Sequence, residues 1–263
     1  MSEGFLRRLT HAMLKKPEPV SMKVPPKPER ILPLEDMLIE LIKIPSSVWG
    51  QYAFSRDILR NKISQEEKNR LTIKANECGF AYADQLTEKY GTTLPSIMAQ
   101  ALDLQISYPE MPTDTSRVTF AEFVQPNKVM LYKDNLDKAN DLLKDRQVSK
   151  VLGIMQIKQL LLAHEIFHYI EVKDSKSIFT QTEKLELWAL KPFHNRSTIR
   201  CLGEIAGMAF AQRLMGLTYS PFVMDVFFVY GYSKEVATIL YDEIMELANH
   251  KENEINKQSN YKD

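Results

Sequence analysis

The chain is poor in the features that mark secreted, membrane-spanning and nucleic-acid-binding proteins. Its two cysteines, Cys78 and Cys201, stand far apart and outside any C-x-x-C spacing, which argues against a disulfide framework and a cysteine zinc site. No run of about 18 apolar residues occurs, and no continuous apolar signal region opens the chain. Lys plus Arg and Asp plus Glu number 34 each, so no net charge draws the protein to nucleic acid or a membrane. We therefore expect a cytoplasmic protein without a transmembrane segment and without direct nucleic-acid binding.

Prolines and basic residues set the beginning of the chain apart from the rest. Residues 1–32 are rich in Pro and Lys, which predicts a flexible N-terminal arm. Within the arm, residues 5–16 mix apolar and basic side chains, a pattern typical either of a short amphipathic helix for a membrane surface or partner groove, or of a solvated tail. Residues 33–263 are long enough to bury one sizeable core, so we expect a single main domain there.

The most informative stretch is His164-Glu165-Ile166-Phe167-His168, which holds two of the five histidines in the chain. Residues four apart on an α-helix lie on one face about 6 Å apart, so two neutral imidazoles can share one Zn²⁺. Glu165 then lies beside the metal, where it can accept a proton from a water that zinc activates. The pattern predicts a zinc-hydrolase active site with His164 and His168 as ligands and Glu165 as general base. The alternative is a pair of histidines on a polar helix surface.

The residues before this motif favour the metal site. Residues 151–162 are apolar on most sides, as expected of a helix buried in a core. Unpaired buried polar groups cost about 1 to 3 kcal/mol each, and a bound metal with a carboxylate partner removes that cost. A polar His-Glu-His group at the end of such a helix is therefore expected to bind something.

The periodicity along the chain predicts an α+β fold that is mostly helical, with a small three-stranded antiparallel sheet before the motif helix. Helical spacing of apolar residues predicts helices at residues 33–44, 65–90, 95–104, 134–144, 149–172, 197–215, 222–230 and 233–256. The expected strands are short, β-branched or aromatic, and separated by turn residues; they are residues 104–108, 118–124 and 128–132. The last of these is either an edge strand that pairs with an extended substrate or an interior strand.

Two segments together resemble the ImmA/IrrE family of bacterial and phage zinc metallopeptidases, which are gluzincin-like. Residues 161–168 are similar to the family's apolar-Ala-His-Glu-x-x-His stretch, and residues 204–215 to its E-x-x-A-N-x-F-A-x-x-L-L helix. The resemblance spans residues 75–215 and leaves out the first 65 residues and the C-terminal helices expected over 221–256. Two departures occur. Phe167 stands where glycine is usual, and Gly207-Met208 replace Ala-Asn.

The resemblance implies a zincin-like metallopeptidase domain that binds Zn²⁺ through His164, His168 and Glu204, the leading glutamate of the second segment. It also implies an intracellular endopeptidase that cleaves a specific protein, often a transcriptional repressor. The composition itself does not identify a protein or peptide substrate.

Two other acidic residues compete with Glu204 for the place of third ligand. Asp174 stands where a metzincin-type signature has its third histidine, but that signature requires glycine at position 171, and Glu171 stands there. Glu171 lies on the histidine face one turn beyond the second histidine, where a straight helix gives it poor reach. Glu204 opens a helix with small residues at 206, 207, 209 and 211, which allow close packing against the motif helix. We place the third ligand on Glu204.

A zinc peptidase also needs a group that stabilises the oxyanion. Tyr169, His194 and Tyr219 are the candidates. His194 lies in the segment between the two metal helices, where it can reach the site or remain solvated, while the helical angle of Tyr169 turns it away.

Three functions remain open at the level of sequence. The first is a zinc-dependent endopeptidase in the cytoplasm, with His194 joining Glu165 as a catalytic residue. The second is a non-catalytic, metal-stabilised protein-interaction module. Glu165 favours the enzyme, because a structural zinc site needs no general base. The third, a membrane-associated effector, depends on residues 5–16 alone.

Overall fold

The structure is a computed structural model that describes residues 28, 30–111, 119–153, 156–190 and 193–259, with the backbone alone at 188–190, 193–194 and 252–259. From Ile31 onward the chain forms one compact unit. The predicted arm, residues 1–32, lies outside the described residues except at its end, and it stays a prediction together with the amphipathic segment 5–16. Among the described residues, no helix is both long enough and apolar enough to cross a membrane.

Helices make up most of the described chain, and two small sheets accompany them, which confirms a mixed α+β fold. The helices are α1 Leu34–Leu41, α2 Ser46–Ser55, α3 Gln65–Tyr90, α4 Pro95–Ala101, α5 Lys133–Leu142, α6 Arg146–Leu152, α7 Ile157–Lys173, α8 Phe179–Thr182, α9 Cys201–Met215, α10 Val223–Tyr230 and α11 Lys234–Ser259. A 3₁₀ turn covers Arg60–Lys62.

Local capping explains where the helices begin and end. α3 begins after Ser64, whose hydroxyl accepts the Glu67 N–H, and it ends at Gly91 with φ of 66°. Both bounds match the prediction for residues 65–90. The single helix predicted over residues 149–172 is wrong, because Gly153 takes φ of 61° and ends α6 before α7 begins. A left-handed glycine is a common helix terminator.

The first sheet consists of β1 Gln105–Ser107, β2 Ala121–Val124 and β3 Lys128–Leu131 in the order β1-β3-β2. β3 pairs in parallel with β1 and antiparallel with β2, so the prediction of an all-antiparallel sheet is wrong. The chain between β1 and β2 is longer than a tight hairpin turn, which lets β3 insert between them. The edge-strand interpretation of residues 128–132 is also wrong: this strand is the central one, and β2 forms an edge.

The prediction missed the helices α2 and α8 and two further strands. α2 is buried at Val48, Trp49 and Phe54, and a helix covered on most sides has no amphipathic period to detect. β4 Lys184–Leu190 and β5 Phe193–Thr198 form an antiparallel hairpin, and the second strand occupies the start of the helix predicted over residues 197–215. α9 therefore begins later, at Cys201.

α9 packs against both α3 and α7, and glycines bring the three helices close together. A Cβ at Gly79 of α3 would lie 2.1 Å from the carbonyl oxygen of Ala206 on α9, so only glycine allows this approach. Phe167 of α7 and Phe210 of α9 are fully buried with ring centroids 5.7 Å apart. Phe167, which departs from the family pattern, therefore fills the core between these helices.

Candidate metal centre

α7 places His164 and His168 on one face, with their Nε2 atoms 3.0 Å apart. Their side chains are 14% and 22% exposed, so both rings lie mostly inside the protein, and His164 lines a cavity. The i,i+4 spacing of a continuous helix is sufficient to produce this arrangement.

Glu204 in the first turn of α9 completes the group. Its Oε2 lies 3.4 Å from Nε2 of His164, and its Oε1 lies 3.7 Å from Nε2 of His168. The candidate ligand atoms of the three residues all lie within 4.8 Å of one another. We refer to His164, His168 and Glu204 as the His-His-Glu cluster.

The start of α9 is held in place from a distant part of the chain. Asp57 is buried and accepts the backbone N–H of Cys201 at 3.0 Å and that of Leu59 at 2.7 Å. The first N–H groups of a helix have no partner within the helix, so this carboxylate caps α9 from outside. The cap fixes the turn that carries Glu204. Cys201 itself is a free, buried thiol.

The dimensions of the His-His-Glu cluster suit a tetrahedral ion. Bonds of about 2.1 Å to zinc would separate neighbouring ligand atoms by about 3.4 Å. The three separations in the cluster are 3.0, 3.4 and 3.7 Å. Two imidazole nitrogens and one carboxylate oxygen are also the donor set that catalytic zinc sites use while keeping one position open. The residues present therefore fit Zn²⁺.

The charges of the cluster are strongly coupled in the metal-free protein. The Glu204 side chain is 53% exposed, and partial desolvation would raise its pKa, but its contact with His164 and the nearby charge of His168 outweigh this and lower the pKa to about 2. Burial alone would lower the pKa of His168, but Glu171 and the other nearby carboxylates raise it to about 9. The cluster thus favours a positive charge at this place, whether a proton or a cation supplies it.

Glu165 lies beside the cluster without belonging to it. It is 6% exposed, and it faces the same cavity as His164 and Glu204. Burial raises the pKa of its carboxyl above the ordinary value, against the positive charges of His164 and His168. A buried carboxylate whose pKa is raised above its ordinary value is suited to accept and return a proton.

The cavity has a volume of about 490 Å³ and is open to solvent on one side. Its walls come from the start of β2 and from α7, α9 and α10, and their apolar residues include Phe120, Ala121, Leu160, Leu161, Met208, Met224 and Phe228. Asp225 supplies a further carboxylate to the wall. A concave apolar cavity with a few converging polar groups is the usual form of a substrate site.

Asp225 and Tyr52 were not among the residues predicted from sequence. The Tyr52 hydroxyl donates to Asp225 Oδ2 at 2.6 Å, across 173 positions of the chain. Burial raises the pKa of Asp225 above its ordinary value, although the Tyr52 hydrogen bond and Arg56 oppose this. No local pattern in α2 or α10 indicates this pair.

Two of the three predicted oxyanion candidates, Tyr169 and Tyr219, do not line the cavity. Tyr169 packs edge-on against Phe123 with centroids 5.8 Å apart. The Tyr219 hydroxyl donates to the carbonyl of Leu152 at 2.6 Å and is buried there. His194 lies in β5 opposite Ala189, and its side chain lies outside the described residues.

The two rival ligands also lie elsewhere. Asp174 accepts a hydrogen bond from the Tyr82 hydroxyl at 3.1 Å and is not part of the cluster. Glu171 lies behind His168, with its Oε2 3.3 Å from Nδ1 of that ring. It therefore contacts a candidate ligand rather than the space where the ligand atoms converge.

No family model, no curated protein and no solved structure matches this chain. The resemblance to ImmA/IrrE metallopeptidases stays a prediction from residues 161–168 and 204–215. The assignment of the site therefore depends on its own geometry and chemistry.

Proposed function

We propose that the protein is a zinc-dependent endopeptidase. The observation that carries the proposal is the placement of Glu165, which faces the cavity beside the His-His-Glu cluster and takes no part in it. When bound, Zn²⁺ supplies a Lewis acid that makes water a nucleophile near neutral pH. A purely structural metal site needs no such neighbouring base.

Glu165 acts as the proton carrier in this proposal. Its carboxylate takes a proton from the attacking water and returns it to the leaving amine, so that one group serves both steps. Its low exposure keeps bulk water from competing for that proton. His164, His168 and Glu204 would hold the ion, and the apolar side chains of the cavity wall would contact the peptide.

The substrate class follows from the edge of the first sheet. β2 is an edge strand, and Ala121 at its start lines the cavity. An extended peptide can hydrogen-bond to an exposed strand edge while its side chains enter adjacent pockets. We propose that a protein or peptide substrate binds along β2. The resemblance to ImmA/IrrE peptidases supports an intracellular target protein such as a transcriptional repressor.

The alternative function is a non-catalytic, metal-stabilised interaction module. The His-His-Glu cluster joins α7 to α9, so a bound ion would also stabilise the contact between these two helices. This alternative assigns no role to Glu165.

The variant Glu165→Gln separates the two functions. An amide keeps the shape of the side chain but cannot accept the proton, so hydrolysis should fall by about 10² to 10⁴ while zinc content stays near one per chain. The matched control is Glu77→Gln, an exposed glutamate of α3 paired with Lys74. The measurement is cleavage of a broad peptide library, followed by mass spectrometry.

Cleavage by Glu165→Gln within tenfold of the wild-type rate would contradict the role of Glu165. A zinc-loaded wild-type protein that cleaves no peptide of the library would favour the interaction module.

A further inference from the structure

Glu171 is a buried carboxylate that the proposed hydrolysis does not use. It lies on α7 three residues after His168, is 9% exposed, and approaches Nδ1 of His168 at 3.3 Å. An ionised carboxylate can only accept a hydrogen bond. Nδ1 of His168 is therefore the donor.

Helix α9, which packs against α7, leaves space for the Glu171 carboxylate at one position. A Cβ at Gly203 of α9 would lie 2.7 Å from Oε1 and 3.0 Å from Oε2 of Glu171. Real Cβ atoms do not approach oxygen that closely, so a side chain at this position would displace the carboxylate. Glycine inside a helix is destabilising by roughly 0.5–1 kcal/mol relative to alanine. The next residue after Gly203 is Glu204, so adjacent residues of α9 contact Glu171 and complete the cluster.

We propose that Glu171 is a positioning residue that fixes the orientation and tautomer of His168, and that Gly203 is the residue of α9 that makes room for it. With Nδ1 donating to Glu171, the lone pair of the neutral ring lies on Nε2 and points towards His164 and Glu204. Loss of a partner of this kind typically weakens metal binding by about 10- to 100-fold. The inference depends on the metal site of the proposed function but not on peptidase activity.

The test is a double-mutant cycle on zinc affinity. Competitive titration with Zn²⁺ alone compares the wild type, Glu171→Ala, Gly203→Ala and the double variant. We expect each single variant to bind zinc about 10- to 100-fold more weakly. Because the Gly203→Ala methyl group acts by displacing the Glu171 carboxylate, the double variant should bind zinc as Glu171→Ala does. A double variant whose loss equals the product of the two single losses would overturn the role of Gly203.

A second measurement separates positioning from general packing. Co²⁺ is titrated in place of zinc, and the visible absorption bands report the geometry of the ligands. Glu171→Gln keeps the volume and an acceptor oxygen but lacks the charge, so it should recover part of the affinity lost in Glu171→Ala and shift the bands less. If Glu171→Ala fails to fold, Glu171→Gln alone decides: an unchanged affinity and spectrum would overturn the proposal.

The outcomes also separate this inference from the metal site itself. If His168→Ala keeps full zinc affinity, the His-His-Glu cluster is not the metal site and both proposals fail. If His168→Ala loses zinc while Glu171→Ala and Glu171→Gln bind it as the wild type does, only the positioning inference fails.

Discussion

The two histidines of the cluster share one helix and differ in what holds their rings. His168 directs Nδ1 at Glu171, a charged acceptor buried behind it. His164 buries its own Nδ1, which has no hydrogen-bond partner among the residues that the structure describes, and its ring lies against Gly207, where a Cβ would be 3.0 Å from Cε1 and Nδ1. One ring is positioned by a hydrogen bond and the other by packing. The two histidine ligands can therefore respond differently to substitutions of the residues that surround them.

The same contrast appears along α9. Gly203, Glu204 and Gly207 face α7. Gly203 lies against Glu171, Glu204 approaches both rings, and Gly207 lies against His164. The glutamate contributes charge and the two glycines contribute space. Substitutions at the two glycines can therefore test separately how each histidine ring is positioned.

The largest expected effect is the loss of either ring. His164→Ala and His168→Ala each leave two ligands, and we expect metal affinity to fall by more than the roughly 100-fold that removal of a supporting group produces. Zinc analysis after dialysis against a weak chelator measures this loss. Full zinc content in either variant would rule out that ring as a ligand.

The pH dependence of the free energy of unfolding, measured without metal, tests how strongly Glu171 acts on the His168 ring. Its pKa rises from 6.5 to about 9, so its contribution to the free energy of unfolding is complete below about pH 6.5 and is lost as pH rises through about 9. The contribution is of the order of 3 kcal/mol or less. Urea unfolding between pH 6 and 10 measures it, with Glu171→Gln as the variant that should flatten the profile. Identical profiles for the wild type and Glu171→Gln would show that Glu171 does not raise the pKa of His168.

The sequence predicted the parts of the site that are local. The spacing of His164 and His168 fixes their common face, and Ser64 and Gly91 fix both ends of α3. The family resemblance of residues 204–215 and the small residues of that helix predict Glu204 as the third ligand, and the structure brings its carboxylate close to the histidines.

The sequence did not predict what depends on distant contacts. The cap of α9 by Asp57 spans 144 positions, and the parallel pairing of β1 with β3 depends on how the intervening chain is routed. Glu171 was considered only as a ligand, although a glutamate three residues after a histidine on a helix can also contact the ring from behind.

A smaller effect is expected from Gly207→Ala. The new methyl group would lie 3.0 Å from Cε1 and Nδ1 of His164, so the ring must shift by a few tenths of an ångström. We expect zinc affinity to fall by about tenfold or less, since no hydrogen bond is lost. Unlike Gly203→Ala, this change acts through His164, so its effect should add to that of Glu171→Ala in the double variant. A non-additive result would show that the two rings are not positioned independently.

The smallest effect is expected from Asp174→Asn. The Asp174 carboxylate accepts an exposed hydrogen bond from Tyr82 and lies outside the His-His-Glu cluster. Zinc affinity should be unchanged, and stability should change by about 1 kcal/mol or less. A zinc deficit in this variant, with a normal titration for Glu204→Ala, would reverse the assignment of the third ligand.

X-ray absorption at the zinc edge of the loaded wild-type protein tests the central claim most directly. The structure predicts two imidazole nitrogens and carboxylate oxygen at about 2.0–2.2 Å, and no sulfur. The imidazole scattering should be halved in His168→Ala if any zinc remains bound. A spectrum with sulfur ligands, or one without imidazole scattering, would contradict the His164, His168 and Glu204 site.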